Sequence, residues 1–334
     1  MILCSSLSRA SASVSLFINT TQFVFDMEDD RYRSGNILFV DQYSIKTTDG
    51  TTTDVVVGSD INASYVEGVG AAARFKTIFG FTQWNSSLLV VADSGNHCLR
   101  FINRATNETS RFVGNCTVNG FADGTDANAL FNYPYALKAF NSSFLLVSDN
   151  FNNAVRLVDM ATGTVSTLIR NISSPKDMVM TTGGQQFYIN SLYSVALADA
   201  RSANFTILTS TEAGFQDGPL ATSKYSWPAG LDWLGDDTLV VADVYSNRTR
   251  MISLSEKEVT SACAAVSTSE KNKDCAPFSV QSVLKSGKAL YIGGEGSINV
   301  MQLGSGTSGS GGVSAVAHIV AASFLLNAIK LLMV

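Results

Sequence analysis

Short apolar runs ending in an acidic residue punctuate the chain. Leu89-Val90-Val91-Ala92-Asp93 is one, Leu145-Leu146-Val147-Ser148-Asp149 a second, and Leu239-Val240-Val241-Ala242-Asp243 a third. An arginine follows each acid by seven residues, at Arg100, Arg156 and Arg250. An aromatic ring precedes each acid by 18, at Phe75, Phe131 and Tyr225, and a glycine lies seven before each ring, at Gly68, Gly124 and Gly218. Runs this short, rich in Val and Leu and bounded by turn residues, read as buried strands. The same landmarks at fixed offsets mark an internal repeat.

Looser copies extend the series. Pro134 and Pro228 stand 15 residues before Asp149 and Asp243, and Pro175 stands 15 before Asn190, which ends the run Phe187-Tyr188-Ile189. Ile37-Leu38-Phe39-Val40-Asp41 opens the series, and Leu290-Tyr291-Ile292-Gly293, after Pro277, closes it. Six units with a period of 41 to 56 residues are predicted. Each reads as four strands. In the second unit these cover 78–84, 88–92, 98–103 and 109–113, with a turn at Arg104-Ala105-Thr106-Asn107. A lone four-stranded sheet leaves apolar faces uncovered, so such sheets pack radially about an axis. The expected fold is all-β: a six-bladed β-propeller of four-stranded antiparallel blades over residues 13–303. The last unit has strands near 278–283, 289–292 and 298–303 but no fourth. Ser13-Val14-Ser15-Leu16-Phe17-Ile18-Asn19 is similar to the fourth strand at 164–171, so the N-terminal strand is expected to close the last blade. Closure removes a free sheet edge.

The Asp-x2-Asn-x3-Arg stretch is clearest at Asp93/Asn96/Arg100 and Asp149/Asn152/Arg156; Ser246 replaces the amide before Arg250. With its apolar run it resembles the NHL repeat, over about 290 residues. The resemblance implies a six-bladed propeller. The recurrent set Asp41, Asp93, Asn96, Arg100, Asp149, Asn152, Arg156, Asn190, Asp243 and Arg250 is expected to be scaffold. A carboxylate ending a strand accepts N–H bonds from the next turn and pairs with the following arginine. Gly68, Gly124 and Gly218 read as turn glycines with unusual φ.

Composition narrows the function. Hydrophobic residues make up 46% and charged residues 15%, enough apolar content for a large core. Net charge is −5 with no basic run, which excludes a nucleic-acid backbone as partner. Residues 1–12 hold no sustained apolar stretch, so an export signal upstream of Met1 is expected. Residues 304–312 form a Gly/Ser spacer and 313–334 a mostly apolar tail. Small residues, a polar spacer and a terminal apolar stretch read as a GPI-attachment signal, with Ser305, Gly306 or Ser308 as the attachment point. The competing reading is a retained membrane anchor, which His318, Asn327 and Lys330 disfavour. Nine asparagines begin Asn-x-Ser/Thr: Asn19, Asn62, Asn85, Asn107, Asn115, Asn141, Asn171, Asn204 and Asn247. Cys98 and Cys116 lie equidistant from the turn at Asn107, so antiparallel pairing sets them at disulfide range; Cys263 and Cys275 flank a polar loop as a second pair. Cys4 is left over.

Candidate chemistry is sparse. Only His97 and His318 are histidines, too few for a histidine-ligated zinc or for separate triads. The expected function is a cell-surface, glycosylated, non-catalytic module binding an extracellular protein or glycan. Contact loops are sought at 59–66, 116–121 and 210–216. Two alternatives stand beside it. One is a calcium-dependent hydrolase, resembling the lactonase-like six-bladed propellers, with a metal held by channel oxygens. The other is an intracellular protein-interaction propeller, with unglycosylated asparagines and reduced cysteines. No other cofactor is expected.

Overall fold

The computed structural model describes residues 11–262, 282–286, 289–302 and 316–318. The chain forms a β-propeller of antiparallel sheets stacked around a central channel. The second sheet runs outward through Ile78–Asn85, Leu88–Asp93, Cys98–Asn103 and Glu108–Val113, and ends on the two-residue strand Gly68–Val69. The third repeats this with Pro134–Ala139, Phe144–Asp149, Ala154–Asp159, Thr164–Arg170 and Gly124–Thr125. The fourth has Met178–Met180, Gln186–Asn190, Val195–Asp199 and Asn204–Ile207. The fifth has Pro228–Trp233, Thr238–Asp243, Arg248–Ser253, Glu258–Ala262 and Gly218–Pro219.

The first sheet corrects the expected blade count. Among the described residues there are five sheets, not six, because the outermost units at the two chain ends merge into one seven-stranded sheet. Ser11–Asp29 is a single long strand. Its first part pairs with Ala289–Gln302 (Val14 opposite Met301, Phe23 opposite Glu295), and its last part pairs with Ile37–Asp41 (Val24 opposite Asp41). Ser44–Thr48 and Thr53–Gly58 complete one side, and Ser282–Ser286 the other. The two strands expected at 289–292 and 298–303 are one continuous strand, so the last unit has no turn with which to become a separate blade. The N-terminal segment does pair with the C-terminal strand, as the closing role requires. Val316–His318 adds a short parallel pairing with Ser11–Ser13; the rest of the tail lies outside the described residues.

The apolar runs read as they do because each second strand is buried on both faces. Leu89 and Val91 pack toward Leu38, Val40 and Ile45 of the first sheet. Val90 and Ala92, pointing the other way, pack toward Leu137, Leu145 and Val147 of the third. Alternation still operates, but both faces are interior. Leu146 repeats the pattern toward Phe187 and Ile189 of the fourth sheet. The landmark glycines begin the short outer strands that cap three blades, a fifth strand that the four-strand reading missed. Gly218 needs φ of +118°, a region that favours glycine, whereas Gly68 does not adopt positive φ.

The closing strand holds the two chain ends in one sheet, so deleting residues 1–20 should lower the thermal midpoint or cause self-association. Scanning calorimetry with light scattering checks this. An unchanged midpoint in a monodisperse deletion variant would contradict the closing role.

Candidate functional site

The repeated acids and arginines form three equivalent buried clusters. Asp93 Oδ2 accepts hydrogen bonds from Arg100 Nη1 at 3.1 Å and Asn96 Nδ2 at 2.9 Å, while Oδ1 accepts the Lys76 N–H at 3.0 Å. Asp149 does the same with Arg156 at 2.7 Å, Asn152 at 2.8 Å and the Asn132 N–H at 2.8 Å. Asp243 accepts from Arg250 at 2.9 Å and from the Ser226 N–H at 2.7 Å. Each guanidinium then donates to two carbonyls of the loop that enters its blade: Arg74 and Val66 for Arg100, Leu130 and Ala122 for Arg156, Lys224 and Gln216 for Arg250. It is also flanked by two rings. Arg100 lies against Phe75 and Tyr65, Arg156 against Phe131 and Phe121, and Arg250 against Tyr225 and Phe215. Burial raises Asp93 and Asp243 to about 6 despite the attraction of the arginines. The acids and the arginines of the three clusters are buried.

Tyr65, Phe121 and Phe215 each lie 28 residues before their Asp, a recurrent landmark that was readable in the sequence and not read. They belong to the three loops expected to contact a ligand; each ring lies over an arginine, and Phe121 and Phe215 remain exposed on their outer side.

Two blades vary the theme. In the first, Lys46 replaces arginine, bonding Asp41 at 2.6 Å and Asp60 at 2.8 Å. The two-residue-shorter turn hides the equivalence: Lys46 sits opposite Phe39, two before Asp41, as Arg100 sits opposite Val91, two before Asp93. In the fourth, both partners are neutral. Asn190 stands in the acid position and donates to the Gly230 carbonyl, and Leu197 stands in the arginine position, opposite Tyr188. Replacing both members of a buried ion pair is far less costly than replacing one. Near Asn190 lies fully buried Lys176, whose ammonium packs 4.1 Å from the Trp227 ring and donates to the Ser191 carbonyl at 3.4 Å. Burial pushes Lys176 down to about 7.

The chemistry that differs between blades lines the channel. A cavity of about 320 Å³ is bounded by the innermost strands of every sheet. Lys138 lies within it, 3.2 Å from Asp177. Burial alone would lower its pKa, but Asp177, Asp26, Glu28 and Asp232 hold it above the usual lysine range. Three of these acids bridge neighbouring blades. Asp26 accepts the Phe81 N–H at 3.0 Å, Asp177 the Leu231 N–H at 2.9 Å, and Asp232 the Lys285 N–H at 2.8 Å. Each also accepts the N–H of the residue after itself. Glu28 takes the Gln83 backbone and side-chain N–H groups on Oε2. Burial, followed by Asp177 and Glu28, raises Asp26 to about 8, with Lys138 opposing. On the same inner strands Tyr135 stacks on Phe79 at 4.6 Å, and Phe25 meets Phe79 edge-on at 5.0 Å.

Among the described residues no three His, Cys, Asp or Glu side chains converge as metal ligands. The carboxylate oxygens of Asp26, Asp177 and Asp232 are engaged by backbone N–H groups, and an ammonium already lies among them. None of these residues was singled out from sequence.

Elsewhere, Cys98 and Cys116 form a disulfide with Cα atoms 4.9 Å apart. Cys263, Cys275, Ser305, Gly306 and Ser308 lie outside the described residues. Asn19, Asn62, Asn85, Asn141, Asn171, Asn204 and Asn247 are exposed, and Asn107 and Asn115 half-buried. His97 ends a turn with φ of +61° and its Nδ1 accepts the Tyr133 N–H at 3.2 Å. Among the described residues no helix is long and apolar enough to cross a membrane.

The fold and its channel define an all-β propeller. No family model matches the chain. NHL repeat-containing protein 2 of Bos taurus is 32% identical over 104 residues, 30% of this chain. The human protein of that name is 31% identical over 106 residues. The chain spans 14% of the length of these curated relatives. Among solved structures, an auxiliary nutrient binding protein from Bacteroides ovatus superposes with a TM-score of 0.65 at 13% identity, over 88% of this chain and 77% of that one. A gluconolactonase from Xanthomonas campestris superposes with a TM-score of 0.62 at 11% identity, over 88% and 90%. At such identities the likeness is one of fold.

Arg156→Ala should destabilise the protein by about 3–5 kcal/mol, because it strands the buried Asp149 carboxylate. Urea unfolding at pH 7 measures this; a loss below about 1 kcal/mol would mark the pair as dispensable. Lys176 gives a signed pH dependence. Its folded pKa lies below the unfolded value of about 10.4. The unfolded chain therefore binds more protons from pH 7 to 10, and stability should rise with pH across that window. Lys176→Met should remove that rise, and thermal midpoints in a pH series read both arms.

Proposed function

We propose that the chain is an NHL-type propeller, exported, glycosylated and held at the cell surface by its C-terminal segment, that acts as a non-catalytic binding module for an extracellular ligand. The observation that carries the binding reading is the channel cavity. It is concave and gathers charged groups from several blades in one place. Export is supported by the Cys98–Cys116 disulfide, which suits an oxidising compartment, and by the exposure of most sequon asparagines. Glycans at Asn85, Asn141 and Asn204 would project from turns or strand ends without crossing the channel.

A lactonase-like hydrolase is the second reading. It is favoured by the Asp26 carboxyl, whose pKa burial raises to about 8 and which is suited to proton transfer, and by the superposition on a gluconolactonase. On that reading the catalyst uses the chain's own carboxyl and Lys138 rather than calcium.

The test is expression of the full chain behind a known signal peptide on animal cells. Release by phosphatidylinositol-specific phospholipase C, with a mobility shift on glycan removal, is the expected result. Retention despite the lipase would point to a spanning tail. Absence of glycans with reduced cysteines would favour the intracellular propeller. Turnover of gluconolactone by the purified protein, lost in Asp26→Asn, would establish the enzyme instead.

A further inference from the structure

We propose that carbohydrate completes the fourth blade: an N-linked glycan on Asn171 seats its first N-acetylglucosamine in a pocket beside the blade's bare outer strand. The inference deepens the reading of an exported, glycosylated chain and rests on it. Segment length gives the first reason. The segments entering the second, third and fifth blades run over residues 59–77, 114–133 and 208–227. Each lays a two-residue strand along the outer edge of its sheet: Gly68–Val69 on Glu108–Val113, Gly124–Thr125 on Thr164–Arg170, and Gly218–Pro219 on Glu258–Ala262. The segment entering the fourth blade covers only 171–177 and supplies no such strand. Asn204–Ile207 is therefore the outer edge of its sheet, with no strand beyond it among the described residues. The outer strand of the first sheet, Thr53–Gly58, at least has Gly70–Ala72 packed beside it. A bare strand edge is a template for pairing with another chain, and proteins cover it.

The pocket gives the second reason. Between the short entering segment and the bare strand lies a cavity of about 160 Å³. Phe205 and Ile207 of the strand line it, with Tyr193 from the turn that follows Gln186–Asn190. Asn171, Ile172 and Ser173 form another part of the wall, and together they are an Asn-x-Ser acceptor. Asn171 is exposed, so a sugar joined to its amide begins at the pocket itself. A pyranose has apolar C–H faces and a polar rim. Tyr193 and Ile207 suit the faces, and the Thr211 hydroxyl, also in the wall, suits the rim. A second acceptor, Asn204-Phe205-Thr206, lies on the bare strand. Side chains alternate along a strand, so Asn204 faces away from the side that Phe205 and Ile207 give to the pocket. Glycans at the two asparagines cover the strand from both faces. Sugar at Asn204 also obstructs an approaching strand, which makes carbohydrate a better occupant than a second chain.

The informative substitution is Ser173→Ala. Asn171 adopts φ of +63°, which asparagine tolerates better than glutamine, so Asn171→Gln would add backbone strain to the loss of the sugar. Ser173 is exposed, and replacing it removes the acceptor while leaving Asn171 in place. Ser173→Thr keeps the acceptor and is the matched control.

The experiment uses the full chain, secreted behind a known signal peptide from animal cells restricted to high-mannose glycans. Mass spectrometry of glycopeptides should find Asn171 occupied in the parent and in Ser173→Thr. Ser173→Ala should lower the thermal midpoint by about 2–4 °C. It should also speed amide exchange at 204–207 about tenfold while leaving the second blade unchanged. Endoglycosidase H, which leaves the first sugar, should preserve that protection, and complete removal by peptide N-glycosidase F should abolish it. Exchange at 204–207 indifferent to Ser173→Ala overturns the inference. So does a vacant Asn171 when other sequons carry glycan, and in both cases the glycosylated reading stands. A chain with no glycan at any sequon sinks that reading itself. Exchange at 204–207 that slows as the glycosylated protein is concentrated would assign the edge to a second copy and overturn the sugar.

Discussion

The innermost strand of a propeller blade has a neighbour on only one side. Its other edge faces the channel, and the N–H groups there must find acceptors or face a narrow, poorly hydrated space. Much of this protein follows from how that edge is satisfied. Carboxylates on one inner strand accept N–H groups from the next: Asp26 to Phe81, Asp177 to Leu231, Asp232 to Lys285, with Glu28 to Gln83 as a second bond at the first junction. Where no acid is used, the strands close directly. A Cβ on Gly80 would fall 2.4 Å from the Tyr135 carbonyl, and Ser94 donates across to the Pro134 carbonyl.

This solution has an electrostatic consequence. Acceptors strong enough to join blades bring negative charge to the axis, where desolvation makes it costly. Lys138 offsets part of it and Asp26 stays protonated near neutrality. The scaffold and the candidate site are therefore built from the same atoms. Removing an acid to test function therefore also loosens a blade junction.

The blades were legible because their chemistry repeats. Asp, Arg and ring at fixed offsets make the same buried cluster three times, and the two-faced apolar run betrays radial packing. Where the repeat relaxes, legibility falls. Lys46 escaped notice because a shorter turn shifts its offset, although it faces the same cross-strand slot. The blade count failed at the chain ends, where Ser11–Asp29 and Ala289–Gln302 continue past the points at which other units turn.

The channel was illegible for the converse reason. Thr82, Lys138, Val179 and Asp232 each stand 11 residues before the residue ending their blade's second strand, yet share no chemistry. A repeat search discards such a slot as noise. Physically it is the opposite: interior positions that scaffold demands alone would fill alike are filled differently, and all four converge on one cavity. A buried lysine among acids could serve only to neutralise them, but one ammonium against four carboxyls does not complete that task. Burial, with Asp177 and Glu28 adding to it, raises the Asp26 pKa to about 8, and Arg31 and Lys285 add further positive charge to the lining. The channel is thus the one place where the blades' shared scaffold gives way to individual chemistry, with Arg31 and Lys285 lining it beside Lys138.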